Sequence, residues 1–227
     1  MKIDSEKVRV WAIARALNAA NLILEKKGRC CLYPSLLDGK RVGFGKKNPL
    51  VFSETSLLIA SEGGRAIPCL KSILGSPLLS TKRIARLLGI SRHLKSNLVS
   101  RRQLDLMLIV GLEVTACYMN YHFKIRGMFE IESGHAQFFL NEDGSVLASI
   151  LKNSDELWVV KSGKINNTPS VRLGFKDILT GIESCLGILD HNRATALGEF
   201  LVKGRIPLID KIGYASRFAF SELSFFK

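Results

Sequence analysis

NRATALGEFLVKGRIPLIDKIGYASRFAF, residues 192–220, decides how the C-terminal half of the chain is read. The pattern predicts a short helix over Thr195–Lys203, stopped at Gly204, which suits the left-handed position that closes a helix. Five extended residues, Arg205–Ile209, follow. A second helix starts at Asp210, whose carboxylate can cap the free amides of its first turn. Pro207 has no amide hydrogen, so the extended piece is expected at a sheet edge or as a short arm. Phe200, Leu201, Leu208 and Ile212 make this stretch an apolar cover, unlike a catalytic loop.

Working back from it, Ile178, Leu179, Ile182, Leu186 and Leu189 recur at helical spacing. Before Lys176 the period is two. Phe123, Ile125 and Gly127 alternate with Lys124 and Arg126, then Phe129 and Ile131 with Glu130 and Glu132, which predicts a strand. Further strands are expected at 135–140, 145–151, 156–161 and 171–175, with Asp143-Gly144 as a hairpin turn. The fold class is therefore α+β. An antiparallel meander of about five strands is covered by helices on one face, after a mostly helical N-terminal region.

The segment FKIRGMFEIESG…NEDGSV…ELWVVKSGKIN…PSVRLGFKDILTGI…FLVKGRIPLIDKIGYASRFA resembles the sterol-carrier, non-specific lipid-transfer domain family. Asp143-Gly144-Ser145, Gly163-Lys164, Phe175-Lys176-Asp177 and Gly204-Arg205-Ile206 stand where that family has its turn, strand-end and helix-start patterns. The likeness runs from about residue 121 to the C-terminus. Pro207, inside the last extended piece, departs from the pattern. The resemblance implies a hydrophobic tunnel between sheet and helices that holds an acyl, sterol or isoprenoid chain. Its lining would come from Phe129, Ile131, Phe138, Leu140, Ile178, Leu179, Ile182, Leu186, Phe200, Leu201, Leu208 and Ile212. The same side chains would equally serve to close a solid core, since small domains pack without voids.

The N-terminal half reads differently. A helix begins at Ser5-Glu6 and is expected to stop at Gly28, with Val10, Ile13, Leu17, Ala20 and Leu24 on one face, widened by Trp11, Leu22 and Ile23. Residues 28–52 read as loop, with Pro34, Gly39, Gly43, Gly45 and Pro49. Gly43-Phe-Gly45-Lys-Lys47 fails the phosphate-loop pattern and is taken as an exposed basic loop. Short apolar helices are expected at 53–61 and 67–74. Ser80–Leu98 has a helix-turn-helix look around Ala85, Gly89 and Ile90-Ser91, but Lys95 stands where a recognition helix needs an apolar residue. Gln103–Asn120 is a long helix with Leu104, Leu108, Leu112, Thr115 and Met119 on one stripe. Division into a basic region, 1–100, and a lipid-binding domain, 101–227, follows.

Charge separates the two halves. Residues 1–120 carry 20 Lys+Arg against 8 Asp+Glu, whereas residues 121–227 carry 13 against 12. Between Gly63 and Leu104 there are nine Lys/Arg and no acid. Such a half favours an anionic partner, either an acidic membrane face or nucleic acid. Lys82, Arg83, Arg86, Arg92, Lys95, Arg101 and Arg102 are the residues expected to meet it.

Cys30, Cys31, Cys69, Cys117 and Cys185 have no zinc-site spacing and read as free thiols of a reducing compartment, with Cys30–Cys31 as an alternative redox pair. A signal-peptide pattern and an 18-residue apolar run are both absent, so a cytoplasmic protein with a membrane-facing surface is expected. There is no nucleophile elbow, HExxH or dinucleotide fingerprint, and His93, His122, His135 and His191 are scattered. The reading is a non-catalytic lipid carrier without cofactor or metal. A DNA-binding regulator with a lipid-sensing second half, and an accessory factor in isoprenoid-quinone synthesis, are the alternatives.

Overall fold

A computed structural model describes residues 5–25, 32–37, 41–96, 98–166 and 168–223. Its centre is a helix, α5 (Arg101–Tyr121), capped by Ser100, whose side chain accepts from the amide of Gln103. The predicted stripe of α5 is buried, from Leu104 to Met119. Helix α1 (Ser5–Leu24) packs along one side of α5. It is buried on most of its circumference because α2 (Glu54–Ser61) and α4 (Pro77–Leu94) lie against it as well. Leu22, expected on the buried face, is 58% exposed. One apolar cluster runs from Val8 to Leu223 and joins the residues of both sequence halves.

The region read as loop is a small antiparallel sheet instead. Strands β1 (Pro34–Leu37), β2 (Arg41–Phe44) and β3 (Leu50–Ser53) pair in order. Four-residue strands broken by Gly and Pro are too short to show a period of two, yet Phe44 and Phe52 meet edge to face at 5.7 Å inside it. The Cys30–Cys31 pair lies outside the described residues, while Cys69, Cys117 and Cys185 are free thiols.

The turn that gave Ser80–Leu98 its helix-turn-helix look does not form. α4 runs unbroken through Gly89, with Ile90 fully buried beneath it. α3 (Leu70–Leu74) precedes it and buries no residue.

Two elements of the second half change type. Residues 123–131, expected as a strand, form α6 (Phe123–Phe129). Ile125 and Phe129, four apart, are its buried face, so the alternation was a helical i, i+4 pair in disguise. The missing fifth strand comes from the opening stretch: β8 (Phe200–Gly204), expected as helix. α8 (His191–Ala196) ends before it at a turn through Gly198. Gly204, at φ +107°, turns strand into helix rather than closing one. α9 (Ile206–Glu222) then begins with Pro207 in its first turn, where a missing amide hydrogen costs nothing.

The large sheet is mixed, not a pure antiparallel meander. Its order is β6 (Trp158–Ser162), β5 (Val146–Lys152), β4 (His135–Leu140), β7 (Val171–Phe175), β8, with β4 and β7 parallel. Ser162 sits beside Ala148, but Val171 sits beside Ala136 at the opposite end of the sheet. With its start at that end, β7 runs the same way as β4. Among the described residues one helix, α5, is long and apolar enough to cross a membrane (mean hydropathy 1.2), and 67% of that stretch is buried inside the fold.

Candidate lipid-binding interface

Pleating assigns the two faces of the large sheet. Phe138 and Leu140 of β4, Leu173 and Phe175 of β7, and Phe200 of β8 belong to the apolar cluster shared with α5 and α9. Their neighbours turn the other way, where the Arg172 guanidinium lies 4.4 Å over the Phe139 ring. On the helix side, α9 contributes Leu208 and Ile212, and α7 (Ile178–Leu186) contributes Ile178 and Ile182. α7 approaches α5 at Gly181. A methyl group there would come within 2.7 Å of Leu104 Cδ1, so a larger residue would force Leu104 to shift.

The aromatic rings fill the middle of this interface. Phe175 stacks near Phe138 at 6.5 Å and meets Phe200 at 5.8 Å, while His191 stands edge-on to Phe200 at 5.0 Å. Phe129 packs edge to face against Trp158 at 5.6 Å. An open tunnel would leave its lining accessible to a water-sized sphere. Leu208 is 0% exposed, Phe175 2% and Ile212 3%, so the interface is closed by its own side chains.

Of the predicted lining, Phe129, Phe138, Leu140, Ile182, Phe200, Leu208 and Ile212 belong to the apolar cluster that spans the molecule, with Ile178 packed against it. Ile131 does not. It follows α6 and is 92% exposed. Leu179 and Leu186 lie on the outer side of α7, about half exposed, and Leu201 points from β8 to the opposite sheet face beside Gly174. Sequence reading missed Trp158, Leu173 and Phe175, although the alternation Val171, Leu173, Phe175 was available to find the last two.

Two charged elements tie the roof down. Glu132 accepts from Arg205 (2.7 Å) and from Lys211, which anchors the start of α9. The Lys211 bond, with burial opposing it, holds the Glu132 carboxyl below its ordinary range. At the other end Asp177 caps α7, accepting from Thr180 N at 2.8 Å, and that bond lowers its pKa. Burial pushes the Cys117 thiol up to about 12, which leaves it an inert core group. Among the described residues there is no cluster of three metal-ligating side chains.

The predicted cationic face divides on inspection. Arg83 is buried against Gly45, donating to the carbonyls of Lys47 (2.8 Å) and Asn48. Arg86 donates to the Asn21 side chain at 2.7 Å and Arg101 pairs with Asp105. These three hold the fold together. Lys82, Arg92, Lys95 and Arg102 remain exposed, the last while donating to Leu24 O.

No family model matches the chain, and no curated protein matches it. Among solved structures it is similar to the sterol carrier protein domain 2 of Helicoverpa armigera, with 16% identity over 50% of this chain and 87% of that one and a TM-score of 0.37. It is similar to sterol carrier protein 2 from Yarrowia lipolytica (apo form), with 15% identity, coverage of 58% and 98% and a TM-score of 0.35. A likeness to the sec-alkylsulfatase Pisa1 from Pseudomonas sp. is weaker still, with 12% identity over 68% of this chain and 30% of that one and a TM-score of 0.27. At these scores the likenesses decide neither ligand nor activity.

Proposed function

We propose that this protein is a non-catalytic lipid carrier that takes an acyl, sterol or isoprenoid chain between its large sheet and the roof of α7 and α9. The observation that carries the reading is α7 itself. Ile178 and Ile182 face the core, yet Leu179 and Leu186 on the outside are 49% and 51% exposed. Two leucines on the outer side of an otherwise amphipathic helix leave apolar surface in water that a bound chain would cover. Ile188 (69% exposed) and Leu197 (61%) extend the same greasy rim toward α8. A lipid wedged beneath α7 would meet Ile178 and Ile182 and lie close to Leu179 and Leu186.

Energetics permit a closed resting state. Burying a C16 chain at ~0.8 kcal/mol per CH₂ gives on the order of 12 kcal/mol. Loss of freedom removes at least ~4 kcal/mol. About 8 kcal/mol is left, which corresponds to micromolar affinity if opening costs nothing. Each ~1.4 kcal/mol consumed in parting the Phe138–Phe175–Phe200 rings weakens binding tenfold. The exposed cations Lys82, Arg92, Lys95 and Arg102 would draw the carrier to an acidic membrane surface, each contributing ~1 kcal/mol near it.

Native mass spectrometry of the purified protein, with organic extraction and analysis for fatty acids, sterols and isoprenoid quinones, tests the carrier. A stoichiometric apolar ligand is expected. A protein that carries none, and takes up neither a fluorescent fatty acid nor a fluorescent sterol, is not a carrier.

A further inference from the structure

The most apolar exposed surface lies far in sequence from the interface above, on the segment leading through α3 into α4. Ile67 is 72% exposed, Leu70 74%, Leu74 77% and Leu78 82%. Leu70 and Leu74 are one helical turn apart and so share a face. The segment is nonetheless fixed in place. Ser56 Oγ bonds both the amide and the carbonyl of Ile67, Cys69 N donates to Val51 O at 2.7 Å, and Ser80 Oγ donates to Ser72 O. Four large aliphatic side chains are thus held out into solvent by a well-bonded backbone.

At the foot of α3 lies an open depression of about 270 Å³, whose wall includes Arg41, Lys71, Asn48 and Ser72. Among the described residues that line it there is no carboxylate. We infer that this surface docks to a bilayer of anionic phospholipid: Ile67, Leu70, Leu74 and Leu78 enter the acyl boundary, and a phosphodiester headgroup seats against Lys71 at the depression. The inference deepens the membrane contact invoked under the proposed function, but it rests on other residues and does not need the interior to open.

Charge complementarity selects the occupant. With a net charge of +13, and no acid between Gly63 and Leu104, a second copy of the chain would bring like charge against like. A protein partner is the poorer fit, because interface anchors are typically Trp, Tyr and Arg, whereas this ridge is Leu and Ile with Lys. Aliphatic tips beside cations are what an interfacial segment presents to acidic lipid.

Vesicle co-sedimentation of the full chain tests it, with phosphatidylglycerol-containing vesicles against pure phosphatidylcholine. Leu70→Ser/Leu74→Ser should weaken binding about tenfold or more while thermal unfolding stays at the wild-type value, since both side chains are exposed. Lys71→Gln should weaken binding to the anionic vesicles about fivefold and leave phosphatidylcholine unaffected. Unchanged vesicle binding by the double-serine variant overturns the inference. So does wild-type binding to a soluble acidic polypeptide with none to vesicles. Extracting bound lipid from the same preparations keeps the two readings apart, because serine-sensitive vesicle binding by a protein with an empty interior supports docking without the carrier.

Discussion

The side-chain amide of Asn120 is bonded twice to the backbone of Trp158: its Nδ2 donates to the Trp158 carbonyl and its Oδ1 accepts from the Trp158 amide, both at 2.8 Å. The pair is buried, and it couples the end of α5 to the outer strand β6 as a further strand would. Truncation leaves a buried donor and a buried acceptor unsatisfied. Asn120→Ala should therefore cost about 2–4 kcal/mol, read as a lowered urea midpoint with an unchanged slope.

Helix α1 is joined to α5 by an ion pair. Arg15 reaches Glu113 Oε2 through Nε (2.9 Å) and Nη2 (2.5 Å), with about four-fifths of each side chain buried. Desolvation raises the pKa of Glu113 despite the neighbouring guanidinium. Removing Arg15 alone strands a carboxylate, so Arg15→Met should cost about 2–4 kcal/mol, less than for a fully buried pair. The double variant Arg15→Met/Glu113→Leu should recover to within about 1 kcal/mol of wild type in chemical denaturation.

Acid should destabilise the protein in two steps. His122 is 1% exposed and stacked on Tyr118 at 5.2 Å. Burial holds its pKa below the ordinary 6.5, with Glu222 opposing and Lys124 assisting. The unfolded chain therefore binds the proton more tightly, and stability starts to fall as pH drops through 6.5. Glu132, held below 4.5 chiefly by Lys211, contributes stability that is present above 4.5 and lost as pH falls through its folded value. Urea midpoints from pH 7 downward should show both declines. His122→Gln should flatten the upper one and Glu132→Gln the lower.

A carrier whose interior is closed by its own rings should load more readily when one ring is removed. Phe175→Ala deletes the ring between Phe138 and Phe200 and should cost about 3–5 kcal/mol. If the variant stays folded, its uptake of a fluorescent fatty acid should exceed that of wild type. Equal uptake by the two proteins would place the ligand elsewhere.

Periodicity sufficed for the buried stripe of α5, and together with the turn residues it placed α1, α7 and the strands β4 to β7, though not which side of α7 is buried. Counting charged residues along the chain located the uneven charge. Periodicity failed at residues 123–131 and 195–209, where a few apolar residues fit both a strand and a helix, and the neighbours decide. Phe129 forms the end of a helix because Trp158 waits beneath it, and β8 is a strand because β7 offers it an open edge. The direction of β7 lies in no local pattern, since only its pairing with β4 in the assembled sheet shows it to be parallel. Which arginines bear load was likewise hidden: Arg83 and Lys82 are adjacent cations on one helix, and only the packing of α4 buries the first and leaves the second in water. Local sequence determines which faces are greasy and which are charged. What each face meets is decided by contacts between residues far apart in the chain, because burial is a property of the assembled neighbours.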